Sequence, residues 1–211
     1  RSAGSTDEFY KYDGVCRDKT IQADCGKSFV IRVIVPHKES IVVHDLIRGD
    51  VTFPPEQLDD FIIIRSDGSP TYNFVVVIDD HDMRISHVIR GEEHLSNTPK
   101  QIILYRACGW SEYPQFAHIP LIMGADGNRL SKRDGAVDVL YYKKAGYMPD
   151  ALINYIARLG WAQGDQEKFT REQMIEQFTL AGVCKKAAVF DLQKLQWFNG
   201  VYMREATAQK L

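Results

Sequence analysis

Thr71-Tyr-Asn-Phe-Val-Val-Val-Ile-Asp-Asp-His-Asp-Met-Arg-Ile-Ser-His-Val-Ile-Arg-Gly-Glu-Glu-His94 is the stretch on which the reading of the fold turns. Its apolar run Phe74–Ile78 is continuous rather than alternating. That pattern predicts a strand covered on both faces, the kind found in α/β proteins. Polar and charged residues stand at both ends of the run, and open α/β sheets place ligands at such strand ends. Arg90, just after Val88-Ile89, offers a planar guanidinium fork to a carboxylate. Tyr72 can hydrogen-bond an amino or carboxylate group. A structural ion pair of Arg90 with Asp82, Glu92 or Glu93 is an equally open reading.

Upstream, Phe29–Val35, Ile41–Val43 and Phe61–Arg65 are β-branched stretches bounded by Pro36, Gly49 and Pro54-Pro55, which predicts strands. Ser66-Asp-Gly-Ser-Pro70 reads as a turn. Residues 1–28 are polar and follow no period. Downstream, helices dominate. Thr98-Pro99 predicts an N-cap with proline at the first helical position, and Gly109 predicts the stop after Cys108. Pro149 opens a helix whose Leu152, Tyr155, Ile156 and Leu159 share a face, with Gly160 as its end. Thr170 and Gln173 form a capping box, with Phe169 and Met174 as its staple. Asp191 caps a last helix carrying Leu192, Leu195 and Phe198. Strands thus fill the first two-thirds and helices the rest, in two or three units with a boundary near Gly135.

The 211 residues carry 26 Lys+Arg against 28 Asp+Glu, a net charge of −2, which excludes a uniformly basic nucleic-acid binder. A local basic patch is still compatible with that sum. At 45% hydrophobic and 26% charged residues, the composition is that of a folded chain. The longest apolar runs are far too short to cross a bilayer, and no signal-peptide pattern opens the sequence. Cys16, Cys25, Cys108 and Cys184 are scattered, which suits reduced thiols and a cytoplasmic location. The chain starts at Arg1 without Met, as a processed or truncated polypeptide would.

Met123-Gly-Ala-Asp-Gly-Asn-Arg-Leu-Ser-Lys-Arg-Asp-Gly135 is the richest stretch chemically. Asp126-Gly127 marks a tight turn, and Arg129, Lys132 and Arg133 follow it. Such a loop can close over a polyphosphate, with Ser131 as a hydroxyl donor, and meet charge developing on the leaving oxygens. A solvated basic hairpin tip is the plainer reading. Asp79-Asp-His-Asp82 lacks the spacing of a calcium loop and reads as capping and turn residues for the next element. Cys16 and Cys25 have no CxxC and no nearby His pair, so zinc is not expected from this chain alone. The histidines read as ordinary polar residues. Arg158, Trp161, Lys168, Arg171, Lys185, Lys186 and Lys194 mix cations with aromatics in the helical third. Asp165, Glu167, Glu172 and Glu176 dilute them, so a solvated face explains them as well as nucleic-acid contact does.

Taken together, four ordered blocks resemble the bacterial-type glutamyl-tRNA synthetases, which are class I enzymes. They are Ser66-Asp-Gly-Ser-Pro-Thr-Tyr-Asn-Phe74, His87–His94 with Asn97-Thr-Pro99, Arg129-Leu-Ser-Lys-Arg133, and Leu159-Gly-Trp161 followed by Gly164-Asp-Gln-Glu167. The third is similar to the family's KMSKS loop. The resemblance implies attack of glutamate on the α-phosphate of ATP, then transfer of the acyl group to the 3′ end of tRNA(Glu). It implies that Lys132 neutralises the leaving pyrophosphate, that Ser131 and Arg129 assist loop closure, and that Lys132 and Arg133 bind ATP. Tyr72 and Arg90 match the family's glutamate-binding Tyr and Arg. Mg²⁺ would arrive with ATP as substrate, and tRNA(Glu), glutamate and ATP would be the partners, with no membrane.

The resemblance also implies an organisation. Residues 1–64 correspond to the remainder of an acceptor-end-binding insert. Residues 65–135 correspond to the second half of a Rossmann-type catalytic domain, and residues 136–211 to a helical stem-contact region. The HIGH-type signature and the family's early glutamate-binding Arg find no counterpart here, nor does the anticodon-binding domain. The chain alone is therefore expected not to form adenylate at a useful rate. Tyr12-Asp-Gly-Val-Cys-Arg17 is similar to the tail of a segment that binds zinc in some members, but Asp18 stands where a His ligand would follow. Two alternatives accompany this reading: a glutamyl-queuosine synthetase paralogue that modifies tRNA, and a non-catalytic tRNA-binding or regulatory module.

Overall fold

The computed structural model describes residues 12–19, 26, 28–36, 39–130 and 138–207. They fall into two compact units. The first takes the residues up to His44 with Asp50–Val88 and Ser96–Gln115, and the second takes Asp45–Gly49, Ile89–Leu95 and the chain from Phe116 onward.

In the first unit, β1 (Ile31–Arg32) runs antiparallel to β4 (Ile62–Ile64), with Ile31 opposite Ile64 and Arg32 opposite Ile62. β1 is much shorter than the predicted Phe29–Val35. The register shifts between Ile31 and Arg32. Beyond it, the Asp60 carboxylate takes the Val35 N–H at 2.8 Å, a donor that a regular ladder would have used. Asp60 is buried, and both its oxygens also accept from the single nitrogen Arg17 Nη1, at 2.7 and 2.9 Å. Arg17 Nη2 returns to the Val35 carbonyl at 2.9 Å. One carboxylate thus pins two separate segments. Asp60→Ala would leave that guanidinium without its counter-charge and the Val35 N–H without its acceptor, at a cost of about 3 kcal/mol. The expected readout is a lower urea midpoint with an unchanged m-value.

Phe74–Ile78 is not a strand. It lies inside α1 (Tyr72–Asp82), which corrects the expectation from sequence. An apolar run of this length is also compatible with a buried helix face, and packing decides between them. Here Thr71 is extended just after Pro70, the helix begins at once, and only Val77 is fully buried while Val75 is exposed. Asn73 accepts a bond from Gln101 Nε2 at 3.1 Å, which ties α1 to α2 (Thr98–Ala107). Asp79 to Asp82 are therefore helical residues of α1 rather than caps of the next element. The helix ends in a Schellman turn: Ile85 N–H donates to Asp80 O at 2.8 Å and Arg84 N–H to His81 O at 3.0 Å. Arg84 occupies the left-handed position at φ 54°.

α2 is buried nearly all round, from Thr98 and Pro99 through Gln101–Tyr105. Its N-cap is Asn97, not Thr98, because a 3₁₀ turn over Glu92–Asn97 leads straight in and draws Thr98 into the helix. Gly109 ends it as predicted, at φ +77°, with Trp110 N–H reaching back to Tyr105 O at 3.0 Å.

β2 (Ile41–Asp45), β3 (Gly49–Phe53), β5 (His87–Gly91) and β6 (Gln115–Ile119) form a four-stranded sheet in the order β3-β2-β6-β5. Ile41, Val43 and Asp45 alternate inward along β2. β2 and β6 are parallel, with Asp45 opposite Phe116.

The second unit continues through β7 (Ile122–Met123), which pairs in parallel with β8 (Ala188–Val189). Its helices are α3 (Val139–Lys144), α4 (Pro149–Gly160), α5 (Arg171–Gln177) and α6 (Leu192–Glu205). Tyr142, Ala151, Leu152, Tyr155, Leu195 and Phe198 form the core between α3, α4 and α6. The predicted α4 face is met at Leu152 and Tyr155, whereas Ile156 is 48% exposed. The capping box is present: Gln173 N–H donates to Thr170 Oγ1 at 3.2 Å and Thr170 N–H to Gln173 Oε1 at 2.8 Å. Asp191 caps α6 through the N–H groups of Gln193 and Lys194.

Asn154 is a polar centre within this apolar core. Fully buried, it donates to Glu167 O at 2.8 Å and accepts from Phe169 N–H at 2.7 Å and from the Tyr202 hydroxyl at 3.1 Å. Asn154→Ala would take their partner from the Glu167 carbonyl and the Phe169 N–H, whereas the Tyr202 hydroxyl keeps the Phe169 carbonyl at 2.8 Å; the expected cost is about 2 kcal/mol, seen as a drop in Tm.

Candidate functional site

The site is built where β2, β5 and β6 reach their carboxyl ends. β5 presents Arg90, whose Nε donates to His118 Nε2 at 3.2 Å and whose Nη2 donates to the His94 carbonyl at 3.3 Å. The guanidinium carbon lies 5.9 Å from the centre of the Phe116 ring. A guanidinium carries five N–H donors, so a carboxylate can be gripped on one edge while Nε stays on His118.

β6 supplies His118, whose side chain is fully buried. Its Nδ1 lies 2.6 Å from Asp45 Oδ2, and the Asp45 side chain is equally buried. The other Asp45 oxygen accepts the Ile47 N–H at 3.0 Å and the Arg48 N–H at 2.8 Å. Burial alone would raise the Asp45 pKa. The bonds from the Arg48 and Ile47 amides and from His118 outweigh it and hold the carboxyl below its ordinary value. Burial pushes His118 down; Asp45 opposes this, and the nearby Arg90 and Arg48 charges add to the lowering. A neutral imidazole beside an ionised carboxylate fits both directions.

Two acidic residues frame Arg90. Glu92 pairs with Arg48 and accepts the Leu121 N–H at 3.0 Å. Glu93 pairs with Arg129 Nη2 at 2.7 Å. Of the three carboxylates offered to Arg90, Glu92 thus pairs with Arg48 and Glu93 with Arg129, while Asp82 lies 3.1 Å from His81 Nδ1. Arg129 itself follows the predicted turn: Gly127 has φ +77°, Gly124 N–H donates to Asn128 O at 2.7 Å, and Leu130 N–H to Ile122 O at 3.0 Å. Its side chain is 62% exposed.

The other expected site residues separate into two groups. Tyr72 opens α1 in the first unit and is 49% exposed, whereas Arg90 belongs to the second unit. Ser131, Lys132 and Arg133 lie outside the described residues. Asp45 and His118 escaped the sequence reading. The one available signal was a histidine at the centre of the apolar β6 stretch, Phe116-Ala-His118-Ile. Its partner is 73 positions away. Among the described residues no group of three or more His, Cys, Asp or Glu side chains could hold a metal ion. Nor is any helix among them long and apolar enough to cross a membrane.

The family described as tRNA synthetases class I (E and Q), catalytic domain, matches residues 5–197. The glutamate--tRNA ligase of Geobacter sulfurreducens is 51% identical over 201 residues, which is 95% of this chain and 43% of that protein. Glutamate--tRNA ligase 2 of a Chelativorans species is 54% identical over 202 residues, covering 95% of this chain and 42% of the relative. The chain therefore spans less than half the length of these relatives. A crystal structure of a glutamate tRNA ligase from Elizabethkingia meningosepticum, in complex with its amino acid, superposes with a TM-score of 0.76 at 39% identity. The match covers 84% of this chain and 39% of that one. With the α/β sheet, its strand-end arginine and the matched span in view, the chain belongs to the class I tRNA synthetases (E and Q), in their catalytic domain.

Proposed function

We propose that this chain supplies the glutamate-holding strand end and the phosphate-closing loop of a glutamate–tRNA ligase. The observation that carries the reading is Arg90, held at the carboxyl end of β5 by a buried His118–Asp45 pair. The nucleophile in such a reaction is the α-carboxylate of glutamate, which attacks the α-phosphate of ATP and expels pyrophosphate. A carboxylate locked in a guanidinium fork is a poorer nucleophile, so Arg90 serves better on the side-chain carboxylate. That choice separates glutamate from glutamine, whose neutral amide cannot form the charge-assisted pair. Tyr72 is assigned to the same amino acid.

Lys132 and Arg133 would meet the β- and γ-phosphates and Lys132 the departing pyrophosphate, with Ser131 as hydroxyl donor. Arg129, tethered to Glu93, precedes these residues in the chain and is assigned to loop closure. ATP enters with Mg²⁺ as substrate. In the second step a ribose hydroxyl at the 3′ end of tRNA(Glu) attacks the mixed anhydride and AMP leaves. In this assignment residues 1–64 belong to the acceptor-end insert, 65–135 to the second half of the catalytic domain and 136–211 to the stem-contact region. The reaction belongs to the cytoplasm, where charged tRNA is consumed.

The test places this chain in a full-length chimera, in place of its matched segment in the Geobacter sulfurreducens relative, and measures charging of tRNA(Glu). Glutamate-dependent charging is expected. A well-folded chimera that binds tRNA(Glu) without charging it would contradict the proposal and favour a binding module.

A further inference from the structure

We propose that Asp45 and His118 are positioning residues for Arg90, and that they act by fixing which imidazole nitrogen carries the proton. The inference rests on the reading that Arg90 holds the side-chain carboxylate of glutamate. Arginine Nε is a donor only, so His118 Nε2, 3.2 Å away, has to be the acceptor. The proton of the neutral ring is then on Nδ1, where Asp45 Oδ2 accepts it at 2.6 Å. Asp45 cannot turn to offer anything else, because its second oxygen is fixed by the Ile47 and Arg48 amides. The His118 and Asp45 side chains are both at 0% exposure. The bonds to Arg90 and Asp45 therefore set the tautomer away from bulk water.

A buried pair kept only for stability would look similar in outline. The two roles part at an isosteric change. In Asp45→Asn the amide oxygen stays on the Ile47 and Arg48 N–H groups, since turning it would set its NH₂ against two donors. The NH₂ then faces His118 Nδ1, which must become an acceptor and pass its proton to Nε2. That N–H meets Arg90 Nε–H head-on, and the guanidinium is driven from its place. Size, burial and the β2 turn are preserved while the proton's position is inverted, which is the logic of an orienting carboxylate.

The experiment compares glutamate KM, ATP KM and kcat for the chimera and its Asp45→Asn and Arg90→Ala variants. ¹⁵N NMR of the histidine ring nitrogens in this chain reports the tautomer alongside. We expect His118 protonated on Nδ1 in the unmodified chain and on Nε2 in Asp45→Asn. We expect the glutamate KM of Asp45→Asn to rise by at least about tenfold, the loss associated with a misplaced charge-assisted bond, with the ATP KM unchanged. A raised glutamate KM in Arg90→Ala but not in Asp45→Asn would overturn the positioning role and leave the glutamate assignment standing. An unchanged KM in Arg90→Ala would overturn the glutamate assignment itself. Should Asp45→Asn fail to fold, the tautomer of the unmodified chain decides: a proton on Nε2 would overturn the proposal.

Discussion

Arg90→Ala is expected to raise the glutamate KM of the full-length chimera by roughly 100-fold, the loss of about 3 kcal/mol that follows removal of a charge-assisted bidentate contact. The KM for ATP and the binding of tRNA(Glu) are expected to change little. The reason lies in the geometry of β5. Arg90 Nε is committed to His118, and its Nη2 is steadied by the His94 carbonyl, so the guanidinium is presented in one orientation before substrate arrives. Such preorganisation is what makes the contact worth several kcal/mol instead of the small value of a solvated ion pair. Arg90→Lys would keep the charge but lose the fork and the bond to His118, and is expected to recover only a small part of the loss. Steady-state kinetics at saturating ATP measures both variants.

Lys132→Ala is expected to act on the other parameter. A cation that meets charge only as the pyrophosphate departs stabilises the transition state more than the bound substrates. The expected loss is therefore roughly 100- to 1,000-fold in kcat, with the glutamate KM nearly unchanged. Pre-steady-state formation of the adenylate measures it without interference from the transfer step. A loss confined to KM for ATP would show instead that Lys132 contributes uniform binding.

How much of this was legible beforehand depends on the distance over which each feature is decided. The capping box at Thr170 and Gln173, the cap at Asp191, the turn at Asp126-Gly127 and the stop at Gly109 are settled within a few residues, and each is found where its sequence predicts. The run Phe74–Ile78 is settled by what packs on it. Five consecutive apolar residues satisfy a strand covered on two faces and a helix leaning on α2, and no local signal chooses between them. The Phe29–Val35 stretch fails as a full strand because Asp60, far along the chain, takes the amide of Val35.

The site divides along the same line. Arg90 could be picked out because it follows an apolar pair and stands within a block similar to a known family. The groups that aim it could not. His118 is a single polar residue in an apolar stretch, and Asp45 is the last residue of a different strand. Only the parallel pairing of β2 with β6 brings them into contact. Glu92 and Glu93 were visible as acids near Arg90, but their actual partners, Arg48 and Arg129, come from turns on either side of them in the chain.

The most direct test of the central claim is a crystal structure of the chimera with glutamate bound. The account predicts the side-chain carboxylate of glutamate on the Arg90 guanidinium, with Arg90 Nε still on His118 Nε2. Glutamate seated with that carboxylate on other residues, and Arg90 turned away from it, would contradict the account.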